Sequence, residues 1–503
     1  MKNKILLMLV TVVLASCGNN PSSELNPSSE VLPSTSETSS EGKNSGNSES
    51  FDGERKEDVV LDFYGLNDLH GSVTESDDGK EPGMMKLGTY FRNAYKKNPD
   101  GTVLLSSGDM WQGSADSNIT RGKMVTEMMN ELNFEAMAIG NHEFDWTTSL
   151  IEENAQIANF PMLGANIIDK RTNERADFVE ASHIIERSNV KIGVIGTMGE
   201  GLTSSILASH VANYTFENSQ SYIEEESIKL REEGAEVIIL LDHIGWGNSL
   251  TSSQKYVLNH NLVDVVFGGH NHRHDEYNDV NGIPRLQTTG SGKEIMYAQI
   301  TVTPEGKVTN TDYSVINSYT AVSGLQEDNA IRSIYDYYYE REIKDIKEEK
   351  VGILSSYINK DQLANLGIYA MLESARKIDD EVMVAIHNTG GGIRATINGG
   401  VVTYGDIYKV FPFDNDIGIF ELYGSQIKAL GNRQIGISGL TTLESNVKYK
   451  VAVISYVYEY RGYTINEAKW VMEGFTRDCI ADYFREYGTV YPMDFSSAGM
   501  NIL

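Results

Sequence analysis

Cysteine is nearly absent from this chain: there are 2 in 503 residues, Cys17 and Cys479, which excludes a disulfide framework. Positive charge is scarce as well. Lys and Arg total 42 against 71 Asp and Glu, a formal net charge of −29. Nucleic acid or an anionic membrane is therefore excluded as the main ligand, because phosphate backbones require clustered basic residues. The same charge would repel a nucleotide unless its site carried local positive charge, such as metal ions. After residue 17 no apolar run is long enough to span a membrane, and apart from a short motif near the N-terminus there is no internal repeat.

What is present is ordinary globular composition, 40% hydrophobic and 22% charged, in a chain too long for one core. Two domains plus accessory segments are the natural expectation. The first residues, Met1 to Lys4, are short and basic, and an apolar stretch follows from Ile5 to Leu14. This reads as a secretory signal. The sequence Leu14-Ala15-Ser16-Cys17 resembles a bacterial lipobox, in which cleavage leaves a diacylglyceryl Cys17 as the new N-terminus; an ordinary signal peptide or a short anchor are the alternatives. Two acyl chains would hold the protein firmly at the extracytoplasmic face of the membrane. Cys479 then lacks an intrachain partner and reads as a buried apolar residue. Residues 18–57 are Ser, Asn, Glu and Pro with almost no core formers, and Pro21, Pro27 and Pro33 recur at a fixed spacing. Such a segment is expected to be a disordered tether, roughly 35 Å in root-mean-square span.

From residue 58 the pattern changes. Short apolar, β-branched runs at 59–66, 103–105, 137–139, 192–196, 236–241 and 263–267 read as strands, and nearly all of them open into a loop bearing Asp, Asn or His. That alternation predicts an α/β fold with its site at the strand ends. Met124, Val125, Met128, Met129 and Leu132 fall on one helical face and read as core. Residues 321–350 are charged and tyrosine-rich and predict a helix linking a first domain, 58–320, to a second, 351–503. In the second, a helix is expected at 361–377, strands at 382–386 and 417–422, and a helix over 468–487.

The loops carry the chemistry. Asp68 and His70 are two apart, so on an extended backbone both point to one side and can hold one cation. The Asp109 carboxylate has lone pairs enough to bridge two. Asn141 adds a neutral oxygen, and His243, His270 and His272 add imidazoles. Seven donors of mixed Asp, Asn and His type suit a pair of borderline divalent ions such as Zn, Mn, Fe or Co, and suit Ca poorly. Two divalent ions against two carboxylates leave a local charge of about +2, which draws in a phosphate and acidifies bound water. The segment Asn141-His142-Glu143-Phe144-Asp145, taken alone, reads equally as a capped turn.

Asp68-x-His70, Gly108-Asp109, Gly140-Asn141-His142-Glu143, His243 and Gly269-His270-x-His272 together resemble, in order and spacing, the calcineurin-like metallophosphoesterases. The extension through Phe144 and Asp145 resembles the bacterial 5'-nucleotidase/UDP-sugar hydrolase group, and the likeness runs over about residues 59–490. It implies a four-layer first domain, two β-sheets flanked by helices, and a smaller α/β substrate-binding domain. It implies one metal on Asp68, His70, Asp109 and His272 and a second on Asp109, Asn141, His243 and His270. His142 would contact the phosphate, with Asp145 fixing its ring, while metal-bound hydroxide attacks phosphorus. Arg394 would meet the substrate phosphate, Phe413 and Tyr456 the base faces, and Asn415 the base edge. The domains would close over substrate about a hinge within roughly 318–350. His183, His210, His260, His274 and His387 match no ligand position.

The chain also departs from that pattern. Where the family usually has Gly-Gly-Asp-Gly after its second aromatic, this chain has Glu459-Tyr460-Arg461-Gly462, which implies loss of a nucleoside contact. Gln362 stands where an arginine often binds phosphate, and Asn388 to Arg394 carries one extra residue. The expected activity is release of phosphate from nucleoside 5'-phosphates. A 2',3'-cyclic-nucleotide phosphodiesterase/3'-nucleotidase and a UDP-sugar hydrolase are alternatives that share the metal residues. A non-catalytic surface adhesion lipoprotein is the alternative of another class.

Overall fold

The computed structural model describes residues 55–76, 79–278, 281–389, 391–430, 434–437, 442–496 and 501–502. The signal segment, Cys17 and the tether through residue 54 lie outside the described residues. The Arg55 guanidinium, just ahead of the expected domain start, pairs with Glu236 at 2.8 Å.

Two six-stranded sheets form the centre of the first domain. One runs, in spatial order, Val308–Asn317, Glu294–Val302, Val59–Leu66, Thr102–Ser106, Phe134–Ala138 and Met162–Leu163. The other runs Asp275–Asn278, Pro284–Gln287, Val265–Gly268, Val237–His243, Val190–Met198 and Ser182–Arg187. The central strands are parallel, and their near-continuous apolar sequences follow from burial on both faces. Leu61, Phe63, Val103 and Leu105 of the first sheet pack against Ile239, Leu241, Val265 and Phe267 of the second. A glycine is required at position 65, where a Cβ would lie 2.6 Å from the Phe267 ring across the sheet interface. Helices cover the outer faces. Met124, Val125, Met128 and Met129 of helix Lys123–Glu131 are buried on one side, and Leu230, Val257 and Leu258 on the other. The result is the helix–sheet–sheet–helix arrangement expected.

The parallel strands all end on one rim. The strands Val59–Leu66, Thr102–Ser106, Phe134–Ala138, Val237–His243 and Val265–Gly268 each lead to a candidate site residue there. The linker helix is interrupted: Asn329–Tyr338 passes through a π turn at Tyr339–Ile343 into Lys344–Lys347, and a strand, Lys350–Leu354, follows at once. Its apolar face, Ile331, Tyr335, Tyr338 and Ile343, is buried in the core of the first domain.

The second domain has a six-stranded sheet in the order Trp470–Val471, Ile417–Tyr423, Lys448–Ile454, Val382–His387, Gln434–Ile437 and Asn501–Ile502. The helix Lys360–Ile378 matches expectation. The expected helix over 468–487 is shorter, Thr476–Tyr487. Trp470 and Val471 instead pair with Gly418 and Ile419 as an edge strand. Gly474 has a left-handed φ of 77°, and the Asp478 side chain accepts the Phe475 N–H at 2.6 Å, which fixes the helix start there. Cys479 is buried, as read. Among the described residues no helix is long and apolar enough to cross a membrane.

Candidate metal centre and adjoining cavity

The ligand loops are held in an uncommon backbone state. Asp68, His70, Asp109, His270 and His272 have left-handed φ of 50°, 51°, 54°, 86° and 51°. Each such non-glycine residue costs on the order of 1–2 kcal/mol, and it persists because its surroundings over-determine it. Asp68 N–H donates to Gly108 O at 2.9 Å and His70 N–H to Asp109 O at 3.0 Å, so the first two loops brace one another. The extended spacing expected for Asp68 and His70 is thus corrected. The strand stops at Leu66, and the two side chains reach one centre through left-handed turns. Ser107 Oγ donates to Phe267 O at 2.9 Å and ties the two sheets together at the rim.

Two donor groups result, Asp68/His70/His272 and Asp109/His243/His270, each with its donor atoms within 4.8 Å of one another. His70 Nε2 and His272 Nε2 lie 2.9 Å apart, and His272 Nε2 is 3.2 Å from Asp68 Oδ1. In the second group, His243 Nε2 lies 3.2 Å from Asp109 Oδ2 and 3.3 Å from Asn141 Oδ1, with His270 Nδ1 at 2.8 Å from the same amide oxygen. The outer ring nitrogens are engaged by main-chain carbonyls: His70 Nδ1 by Gln112 O at 2.7 Å and His243 Nδ1 by Ser107 O at 2.6 Å. That fixes the tautomer and turns each Nε2 lone pair inward. Burial pushes His70 down to about 3 and His270 down to about 4, so both rings are neutral donors at neutral pH. Asp109 Oδ2 is fully buried with His243 Nε2 close by at 3.2 Å, an arrangement that suits a cation shared between them. Burial disfavours charge on His243, but Asp109 beside it outweighs this and holds the ring up at about 10, so an ion bound there would displace that proton. Asn, His and carboxylate donors in two adjoining groups fit a dinuclear divalent site.

Beside these groups, His142 Nδ1 contacts Asp145 Oδ2 at 2.6 Å, and its main-chain N–H donates to Asp109 Oδ1 at 2.8 Å. Burial disfavours charge on the ring, but Asp145 and Asp109 outweigh it and hold His142 up at about 9. A cavity of about 340 Å³ joins this end to the second domain, with Asn141, His142, His270 and His272 on one wall and Arg394, Phe413, Asn415 and Tyr456 on the other. The Phe413 ring is 5.9 Å from the His142 ring, and Arg394 Cζ lies 5.1 Å from the Phe413 ring centre. The domains meet through Asn118 Nδ2 donating to Pro412 O at 2.9 Å and an Arg121–Asp414 ion pair, and Lys347 ties the linker to Asp116 of the first domain at 2.7 Å.

Every candidate named from sequence, except Cys17, faces the donor groups or this cavity. The other histidines are elsewhere: His274 pairs with Glu294, His260 stacks on Tyr256, His210 bonds Phe144 O, His183 lies beside Glu180, and His387 is buried in the second domain. Gln362 is a helix-capping residue. Its side chain accepts the Asn359 N–H at 3.1 Å and donates to Pro492 O at 3.1 Å. Glu459, in the departing segment, accepts the Ser209 N–H at 2.9 Å and the Ser209 hydroxyl at 3.1 Å, so it joins the two domains beside Tyr456. Sequence reasoning missed Trp146, Leu207, Gln112 and Asn388, which also line the cavity. Gln112 and Asn388 sit beside recognised motifs and were findable; Leu207 comes from a loop with no motif and is placed only by folding.

Comparison with known proteins agrees with this geometry. Residues 61–274 match the calcineurin-like phosphoesterase family, and residues 345–434 match the 5'-nucleotidase C-terminal domain family. The chain is 26% identical over 414 residues to Endonuclease YhcR of Bacillus subtilis (strain 168), an alignment covering 76% of this chain and 33% of the endonuclease. It is 26% identical over 446 residues to Snake venom 5'-nucleotidase of Naja atra, covering 79% of this chain and 82% of the relative. The crystal structure of a 5'-nucleotidase precursor from Thermus thermophilus shares the fold, with a TM-score of 0.70 at 19% identity over 86% of this chain and 97% of its own. The chain belongs to the metal-dependent phosphoester hydrolases that couple a calcineurin-like phosphoesterase domain to a 5'-nucleotidase C-terminal domain.

Proposed function

We propose that this hydrolase is a 5'-nucleotidase that releases phosphate from nucleoside 5'-phosphates. The observation that carries the reading is a cavity of about 340 Å³, which has candidate metal ligands at one end and an aromatic, amide-bearing wall at the other. Its volume falls in the range of small-molecule sites. Asp68, His70, Asp109 and His272 would hold one divalent ion and Asp109, Asn141, His243 and His270 the other. When bound, such a pair supplies Lewis acidity and a nucleophile drawn from water at neutral pH.

The chain's own residues do the rest. His142, protonated and oriented by Asp145, donates to a phosphoryl oxygen where charge builds up. Arg394 supplies a planar, forked donor to the same group. Phe413 and Tyr456 bracket the base, and Asn415, whose Oδ1 accepts the Ser455 hydroxyl at 3.2 Å, keeps its amide donor for the base edge. Burial works against the charge, but Asp145 and Asp109 keep His142 protonated at neutral pH. The seven donors are all in place, which speaks against a retired scaffold serving adhesion. We also propose attachment to the cell surface through an acylated Cys17, as the leader suggests; replacing Cys17 with Ala should release the protein from the membrane fraction.

A second reading, that of a 2',3'-cyclic phosphodiesterase or UDP-sugar hydrolase, has one observation in its favour. A separate cavity of about 520 Å³ adjoins the donor groups through His70, Gln112, His272 and Arg394 and is also lined by Lys409. It has room for a second substituent on the scissile phosphorus. Phosphate release from AMP, ADP, UDP-glucose, 2',3'-cAMP and a generic aryl phosphate, with Mn or Zn and with Asp109→Ala as control, separates the readings. AMP should give the highest kcat/KM. A higher value for UDP-glucose or 2',3'-cAMP would replace the first reading with the second.

A further inference from the structure

Glu143 is outside the candidate ligand set, yet it is fully buried between two ligand loops. Its Oε2 accepts the main-chain N–H of Asp109 at 2.8 Å and of Gly140 at 2.8 Å. Its Oε1 accepts those of Met110 at 2.9 Å and Trp111 at 3.3 Å. One carboxylate thus gathers four donors, three from the loop after strand Thr102–Ser106 and one from the loop after strand Phe134–Ala138. Among the described residues no lysine or arginine is paired with it. A buried carboxylate without partners is strongly unfavourable, so these charge-assisted bonds are what keep it there.

The two loops are pressed together at this point. A Cβ on Gly108 would lie 2.6 Å from Gly140 N, and one on Gly140 would lie 2.2 Å from Asp109 Oδ1. Asp109 is held at a left-handed φ of 54°, and Glu143 anchors its N–H and that of the residue after it. Asn141 follows Gly140 directly. The carboxylate therefore sets the spacing between Asp109 and Asn141, which come from different strands and have no covalent reason to stay in register.

We propose that Glu143 is the positioning residue of the metal pair, fixing Asp109 and Asn141 at the separation that one shared ion requires. This rests on the two-metal reading above. Glu143→Gln keeps the volume but turns an NH₂ donor toward main-chain donors, so the loops should part without leaving a cavity.

The test is calorimetric titration of Mn²⁺ into chelator-stripped wild type, Glu143→Gln and Glu143→Asp, with circular dichroism for the fold. Wild type should take up two ions per chain. The Gln variant should keep the wild-type spectrum and bind Mn²⁺ about 10- to 100-fold more weakly. With Mn²⁺ restored to saturation, its kcat for AMP should fall more than its KM rises. Affinity within about threefold of wild type would overturn the proposal, because losses of about 10-fold or more are expected of such partners. Absence of Mn²⁺ binding by wild type would overturn the two-metal reading itself, a distinguishable failure. Where the Gln variant does not fold, Glu143→Asp decides: it keeps the charge but draws the carboxylate back by one methylene. An intermediate loss of affinity supports the proposal, and wild-type affinity refutes it.

Discussion

Replacing Phe413 with alanine separates recognition of the base from cleavage of the ester. The ring lies 5.9 Å from the His142 ring, and Arg394 Cζ is 5.1 Å from its centre, so it stands between the phosphate end of the cavity and the wall formed by Asn415 and Tyr456. An aromatic face stacked on a nucleobase contributes about 1–3 kcal/mol. Its loss should therefore lower kcat/KM for AMP by about 5- to 150-fold. Most of the change should sit in KM, because stacking on the base, which does not change during the reaction, holds ground and transition states alike. The control is ribose 5-phosphate, the same ester without a base, and phosphate release from both substrates is measured at saturating Mn²⁺. The ribose ester should change by no more than about threefold, since it never had the stacking to lose. An equal fall for both substrates would refute the reasoning, because Phe413 would then be supporting His142 or Arg394. No fall for either would place the base elsewhere.

Asp145→Asn should move the alkaline limb of the kcat/KM profile toward lower pH. Asp145 helps hold His142 up at about 9, and an amide cannot stabilise the imidazolium; an unmoved limb contradicts the role of His142 as a charged donor. Asp414 pairs with Arg477, which is only 3% exposed, and with Arg121, whose side chain is 40% exposed. Asp414→Asn strands the buried guanidinium and should cost about 3–5 kcal/mol of stability, whereas Arg121→Ala should cost less than about 1 kcal/mol. Equal shifts in thermal midpoint would show that the interdomain pair, not the buried one, dominates. Burial lowers His387 from its ordinary 6.5 to about 4, so the unfolded chain takes up this proton near the first value and the folded chain only near the second. Its contribution is complete above about 6.5 and is lost as pH falls toward 4, by about 3 kcal/mol at most. Denaturation of His387→Gln and wild type across that window should differ in slope, and parallel curves would refute the assignment.

The histidines show how far local pattern carries. Asp68, His70, Asp109, Asn141, His243, His270 and His272 were legible because each follows an apolar strand, and polar residues at strand ends in an α/β fold have few structural reasons to recur. His142 and Asp145 were legible because they sit within one short segment. The role of Gln362 was not legible, because position along a helix does not reveal whether a side chain turns back to cap it or out toward a ligand. Over residues 468–475, helical periodicity lost to pairing of Trp470 and Val471 with Gly418 and Ile419, partners from a distant part of the chain.

By itself the sequence determined the α/β plan and the seven candidate donors, since strand periodicity and donor type are local properties, while their grouping into two sets was implied by the family resemblance. Only the tertiary structure decided how those donors are held. The bracing of the Asp68 and Asp109 loops, the three amides of residues 109–111 gathered by Glu143, the bond from Glu459 to Ser209, and the placing of Phe413 beside His142 all join residues distant in sequence. Such contacts arise from close packing of separate strands and domains, and no window along the chain contains them.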